Sequence, residues 1–195
     1  LPADPFHPSL RFTATRRTGS SAINTGITNL RIMRPVTPNS STSYGTNVVF
    51  TDQMLNLVRQ FNAVRTIRGS IDSGGNDWEY EWHQRVRPSE PQNLHGVHTT
   101  PTYDWARSTH FRGSSYEWWV RLANDADVDL HLCIPVGASD AYITNLARLL
   151  RFGSDGNNPY TSAQPNPVYP GLEPGRRVIL ELGNELWNWE SPYWY

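Results

Sequence analysis

Lysine is missing from this chain: all 17 basic residues are arginine, set against 18 acidic residues. The usage suits a GC-rich genome and says little about mechanism. The formal net charge of -1 leaves no imbalance that points to nucleic acid or to an anionic membrane surface. A single cysteine, Cys133, excludes an intramolecular disulfide framework. It lies in the apolar run "LHLCIP", where a small buried hydrophobe is the expected role. No apolar run is long enough to cross a bilayer. Leu1 is not an initiator methionine, so the absence of a basic-then-apolar leader excludes nothing. With 195 residues and 37% hydrophobic content, the chain can bury one ordinary globular core.

Aromatic residues are what the chain has in excess. Eight Trp, nine Tyr and six Phe make up 12% of it, many of them in polar, loop-like stretches. Aromatics in loops, near carboxylates and amides, line binding surfaces or anchor the loops themselves.

Residues 1–50 read as a β-rich amino-terminal segment, with strands in "LRFTATR" and "ITNLRIMRP" and a polar loop in "TPNSSTSYGTN". Residues 51–195 alternate between helix and strand. "FTDQMLNLVRQF" has Thr51 as N-cap and Met54, Leu55, Val58 and Phe61 on one face. "AVRTIRGSID" follows as a strand. "SSYEWWVRLANDA" is a helix with a capping box of Ser114 and Glu117, in which Trp118 and Trp119 are core residues. "VDLHLCIP" is a strand, and "SDAYITNLARLLRFG" is a helix capped by Ser139 and closed by Gly153. "RRVILELGNE" is the last strand. The order predicts an α/β fold with a parallel sheet.

An open doubly wound sheet and a closed (β/α)8 barrel both fit that order. No Gly-rich phosphate loop follows any strand, which weakens the nucleotide-binding version. Barrels carry active groups on the carboxyl ends of strands and on the loops beyond them. The strand ending near Asp72 is followed by roughly 40 residues before the next helix, well beyond the usual handful. That insertion holds Trp78, Trp82 and Trp105, while the last strand leads into Trp187, Trp189 and Trp194. Both aromatic clusters are thus predicted at one end of the sheet. "WEYEWHQR" puts Trp78, Tyr80 and Trp82 on one side if extended, or Trp78 over Trp82 if helical. Either form walls a cleft or pins a long loop.

Strand alternation places Glu181, Gly183 and Glu185 on one face of "VILELGNELWNW". A carboxyl at the end of that strand, walled by tryptophan, is partly desolvated, which raises its pKa and lets it donate a proton near neutral pH. Asn184 supplies a donor and an acceptor for a sugar hydroxyl. Trp187, Trp189, Trp78 and Trp82 offer flat apolar faces for sugar rings. Such a set suits glycoside hydrolysis between two carboxylates.

"LELGNELWNW" resembles the fourth barrel strand of the clan of retaining (β/α)8 glycoside hydrolases, in which an Asn-Glu pair ends the strand and the Glu is the acid/base. The resemblance implies that Glu185 is the acid/base and Asn184 the sugar-contacting amide. "AVRTIR" resembles the clan's second strand, whose arginine helps hold the nucleophile ionised; Arg65 is the matching position. The segments from "FTDQMLNLVRQF" to "ELGNELWN" also resemble bacterial secreted proteins that join such a barrel to cellulose-binding or other β-sandwich modules. An extracellular or cell-surface location is implied, with a β-linked polysaccharide as partner and no nucleic acid or membrane.

The clan's nucleophile is a second Glu at the end of the seventh strand, and no carboxylate in this chain matches it. The expected architecture is therefore about half of a TIM-type barrel, the carboxy-terminal half lying outside these residues and the fragment inactive alone. A non-catalytic carbohydrate-binding or cell-surface protein on a degenerate barrel is the alternative. For Arg65 two roles stay open: holding the nucleophile, or forming a structural ion pair with Glu181, for which Arg68 also competes. His95 and His98 lack a third ligand at a telling distance, so neither a metal nor a cofactor is expected. His131 reads as a hydrogen-bonded core histidine, and Asp140 as first-turn helix charge. Asn39-Ser40-Ser41 fits a glycosylation acceptor, a triplet common by chance and void in a bacterium.

Overall fold

The computed structural model describes residues 31–66, 81–89 and 114–183. The chain divides into a unit of residues 1–51 and a unit of residues 52–195. In the described part of the first, the chain turns back on itself through an antiparallel bridge between Pro35 and Ser43. Val36 N–H donates to Thr42 and Tyr44 N–H to Arg34, each at 3.0 Å. Asn39 takes the left-handed conformation at the turn, with φ 65. "LRFTATR" lies outside the described residues, and the described part of "ITNLRIMRP" contributes only the bridge at Pro35.

The second unit is mixed α/β. In chain order its described residues form α1 (Asp52–Val58), β1 (Ala63–Thr66), a 3-10 turn (Trp82–Gln84), α2 (Tyr116–Ala126), β2 (Asp129–Ile134), α3 (Asp140–Phe152) and β3 (Val178–Leu182). The strands form a parallel sheet in the order β1-β2-β3. Arg65 is in register with His131, His131 with Ile179, and Cys133 with Glu181.

Alternation divides the sheet into two faces. Leu130 and Leu132 on β2 are fully buried, and Val64 on β1 and Val178 on β3 pack against the same core. The helices supply the rest of that core: Tyr116, Val120, Ala123 and Ala126 from α2, and Tyr142, Leu146 and Leu149 from α3. Farther along β3 the same face opens, with Leu180 and Leu182 each 55% exposed.

Helix ends follow local chemistry. Ser139 Oγ accepts from Tyr142 N–H at 3.2 Å, and Gly153 closes α3 with φ 82. A Cβ added at Gly153 would stand 2.0 Å from the Tyr169 carbonyl, so glycine is required there for space as well as for backbone angle. α2 departs from expectation. It begins at Tyr116, making Ser115 the N-cap, and no side-chain capping bond forms. Glu117 turns inward instead. α2 ends on Asp127 in the left-handed region, with Val128 N–H reaching back to Ala123 O at 3.1 Å. α1 is shorter than its periodicity suggests. Leu55 and Val58 pack on the core, whereas Met54 is 40% exposed and Phe61, beyond the helix end, 61%.

Glu117 is one half of a buried ion pair. Arg85 Nη2 donates to its Oε1 at 2.9 Å and Nη1 to its Oε2 at 3.1 Å, both side chains being 1% exposed. Ser154 Oγ donates to Glu117 Oε1 at 2.7 Å. Arg85 also donates to the carbonyls of Val86, Gly156 and Asn157, at 3.0, 3.3 and 3.2 Å, and lies over the Trp82 ring at 4.3 Å. One guanidinium thereby joins the 3-10 turn, α2 and the loop after α3.

Removing one partner of such a pair strands a buried charge. Glu117→Ala is expected to lower the unfolding free energy by about 3–5 kcal/mol in urea titration. Apolar replacement of buried pairs elsewhere is often neutral. Here Arg85→Met with Glu117→Leu is expected to remain destabilised by at least ~1 kcal/mol, because the Val86 carbonyl loses its donor. Gly153→Ala is expected to shift the same titration downward by more than the ~1 kcal/mol of an ordinary left-handed penalty.

Candidate functional site

The face of the sheet turned away from the helices is polar. It carries Arg65 from β1, His131 and Cys133 from β2, and Glu181 from β3, all of one alternation parity. Arg65 reaches across the central strand and grips Glu181 with two bonds, Nε to Oε2 at 3.0 Å and Nη2 to Oε1 at 2.9 Å. His131 Nε2 stands 3.0 Å from the same Oε2. Cys133 Sγ donates to it at 3.5 Å. Three strands therefore converge on one carboxylate near the carboxyl end of the sheet, where parallel α/β folds place their sites.

The electrostatics of Glu181 follow from this set. Partial burial works against its charge. Hydrogen bonds from Arg65 and Cys133, with the charges of Arg65 and His131, outweigh that cost and hold its carboxyl below the ordinary value of 4.5. Glu181 is thus a fixed anionic acceptor and is unsuited to donate a proton near neutrality. His131 and Cys133 both address this carboxylate, so the group lacks the linear nucleophile–base–orienter chain of a cysteine hydrolase.

At the opposite end of the sheet, Asp129 joins the starts of β2 and β3. Arg177 donates to it from its backbone N–H and from Nε, both at 2.8 Å. The backbone bond is the main cause of a lowered Asp129 pKa. The loop after α3 is ordered by its own contacts. Ser154 and Tyr169 exchange backbone bonds at 2.9 and 3.0 Å, and Asn124 holds Gly171 O and Glu173 N–H, both at 3.0 Å. Asp155 accepts from Asn157 and Asn158 N–H, each at 2.7 Å; the Asn158 bond contributes most to lowering its pKa.

Of the residues singled out from sequence, Arg65 lies in the polar cluster. The ion pair with Glu181 is the alternative that the geometry contains. Trp82 is only 7% exposed. Its ring stacks over Tyr116 at 6.4 Å and meets Tyr142 edge-on at 5.3 Å, while its N–H donates to Asn157 O at 3.1 Å. Here it pins the chain to the core. Glu185, Asn184, Trp187, Trp189, Trp78 and Arg68 lie outside the described residues. Trp118 is half-buried against Tyr169 at 5.6 Å, and Trp119 packs on the core. His131 is not a core residue: it lies on the polar face with its side chain 25% exposed. Cys133 is fully buried, as its apolar setting suggests, yet its sulfur meets a carboxylate.

Sequence reasoning missed that His131, Cys133 and Glu181 form one group. Strand parity was a signal for it, but the register between strands was needed to join them. No group of three His, Cys, Asp or Glu side chains among the described residues, this one included, has an arrangement that could hold a metal ion. No described helix is long and apolar enough to cross a membrane. In the amino-terminal unit, a cleft beside Arg34, Tyr44 and Val48 holds about 150 Å³, below the ~300–1,000 Å³ typical of ligand pockets.

The lowered pKa of Glu181 links the cluster to pH. Its contribution to stability is whole above the unfolded value near 4.5 and disappears as pH falls through the lower folded value. Urea midpoints measured from pH 7 to pH 3 are expected to fall less steeply in Glu181→Gln than in the parent chain, the other carboxylates, Asp129 and Asp155 among them, supplying the remaining slope. An identical slope in both proteins contradicts the assignment. In comparisons with known proteins, no family model, curated protein or solved structure matches the chain.

Proposed function

We propose that the chain is part of a retaining glycoside hydrolase-like protein built on a (β/α)8 barrel, of which it supplies about half. Glu185 is the general acid/base, Asn184 contacts a sugar hydroxyl beside it, and Trp187, Trp189 and Trp78 form the aromatic walls. The substrate is a β-linked polysaccharide met outside the cell or at its surface. The nucleophilic Glu belongs to a later strand, outside residues 1–195.

One observation carries the reading. Three parallel strands follow one another in chain order, with helices packed on one face and a polar cluster on the other. A barrel has this polarity, its helices packed on the outer face of the strands and its site at their carboxyl ends. In sequence, the Asn184-Glu185 pair of the resembled strand begins two residues beyond Leu182, the last residue of β3. The arginine matched to the clan's second strand, Arg65, lies on the non-helical face together with Glu181. Glu181 is held ionised, which leaves the proton-donating role to a carboxyl in a different environment.

The full-length protein should release reducing sugar from at least one of β-glucan, xylan or mannan. In Glu185→Gln, turnover of unactivated substrate is expected to fall by at least ~100-fold, with folding and sugar binding unchanged. Ordinary turnover by that variant would remove Glu185 from the role. Tight polysaccharide binding without any sugar release by the parent protein would replace hydrolysis with the carbohydrate-binding alternative.

A further inference from the structure

We propose that Glu181 is a positioning residue for Arg65, an assignment that rests on the hydrolase reading and adds a residue to it. Arg65 stands on β1, an edge of the described three-stranded sheet, and its side chain is 36% exposed. An arginine in that setting samples many rotamers unless something holds it. Glu181 holds it from β3, two strands away, through two parallel bonds of 3.0 and 2.9 Å. A bidentate grip fixes the plane of a guanidinium as well as its place.

The grip is firm because Glu181 is itself held. His131 Nε2 stands 3.0 Å and Cys133 Sγ 3.5 Å from its Oε2, and both residues belong to the central strand. Glu181 pairs in register with Cys133, one step before the last rung of the ladder, Ile134 with Leu182. The guanidinium is therefore fixed at the height where the strands end and the site of a parallel α/β fold begins. The pair thereby gives the site an oriented guanidinium.

A purely structural role predicts something different. Ion pairs exposed to about a third are screened and contribute little to folding. Losing Glu181 should then leave the fold nearly intact and affect whatever depends on the orientation of Arg65.

The test uses the full-length protein and whichever of β-glucan, xylan or mannan the parent cleaves. Glu181→Gln is expected to lower kcat on the order of 10- to 100-fold, the usual effect of misplacing a group by about an ångström. KM should change little, the urea midpoint at pH 7 should fall only by the small share that the pH slope assigns to Glu181, and Glu181→Asp should restore part of kcat. Parental kcat in Glu181→Gln, or a loss that only follows the folded fraction, overturns the positioning role alone. A parent protein that cleaves none of the three overturns the hydrolase reading, and this role with it.

Discussion

A single buried guanidinium holds the described α/β unit together. Arg85 and Glu117 are removed from water together, and both are densely hydrogen-bonded: Arg85 through its two terminal nitrogens to a carboxylate and three carbonyls, its buried Nε being left without a partner, and Glu117 by Arg85 and the Ser154 hydroxyl. Desolvating two charges costs several kcal/mol per ion, and this set of bonds offsets that cost. The geometry around the pair explains neighbouring features. Trp82 is pressed between Arg85 and the tyrosines of α2 and α3, whose hydroxyls meet at 2.9 Å. The loop after α3 must close tightly enough to bring Gly156 and Asn157 onto the same guanidinium, and Gly153 permits that closure.

With the helices anchored in this way, the sheet is left asymmetric. One face is a hydrocarbon layer against α2 and α3. The other carries charges that neutralise one another across three strands. The two ion-pair groups differ in kind. The Arg85 pair is sealed and rigid, and a change there is felt as instability. The Arg65 pair is partly open to water, so its energetic weight is small and its significance is geometric. The two arginines thus hold the fold in one case and the polar face in the other.

Much of the α/β alternation could be read from sequence because it rests on short-range rules. α3 runs between a serine cap and a glycine stop, and the apolar stripes of α2 and α3 keep helical period. What could not be read depends on partners distant in the chain. Glu117 looks like a capping-box residue until Arg85, far away in sequence, is brought beside it. Ser114 and Ser115 are equally good caps, and only packing selects the second. Trp82 fits either a cleft wall or the anchor of a long loop, and the 3-10 turn sets it in the core as an anchor. Met54 and Phe61 fit a helical face on paper, yet α1 stops at Val58 short of Phe61, which is 61% exposed, and Met54 within the helix is 40% exposed. The Arg65–Glu181 pairing was legible as one of two options, since parity fixes the face and only register fixes the partner.

Cys133 has a consequence of a different sort. It is the chain's one thiol, fully buried in the strand that hydrogen-bonds to both of its neighbours. Its sulfur points to the polar face, so a solvent-borne reagent meets it when the side chains over that face move aside. The molecule thus carries its own reporter of local opening, and the labelling rate of one sulfur measures how often the polar cluster around Glu181 comes apart.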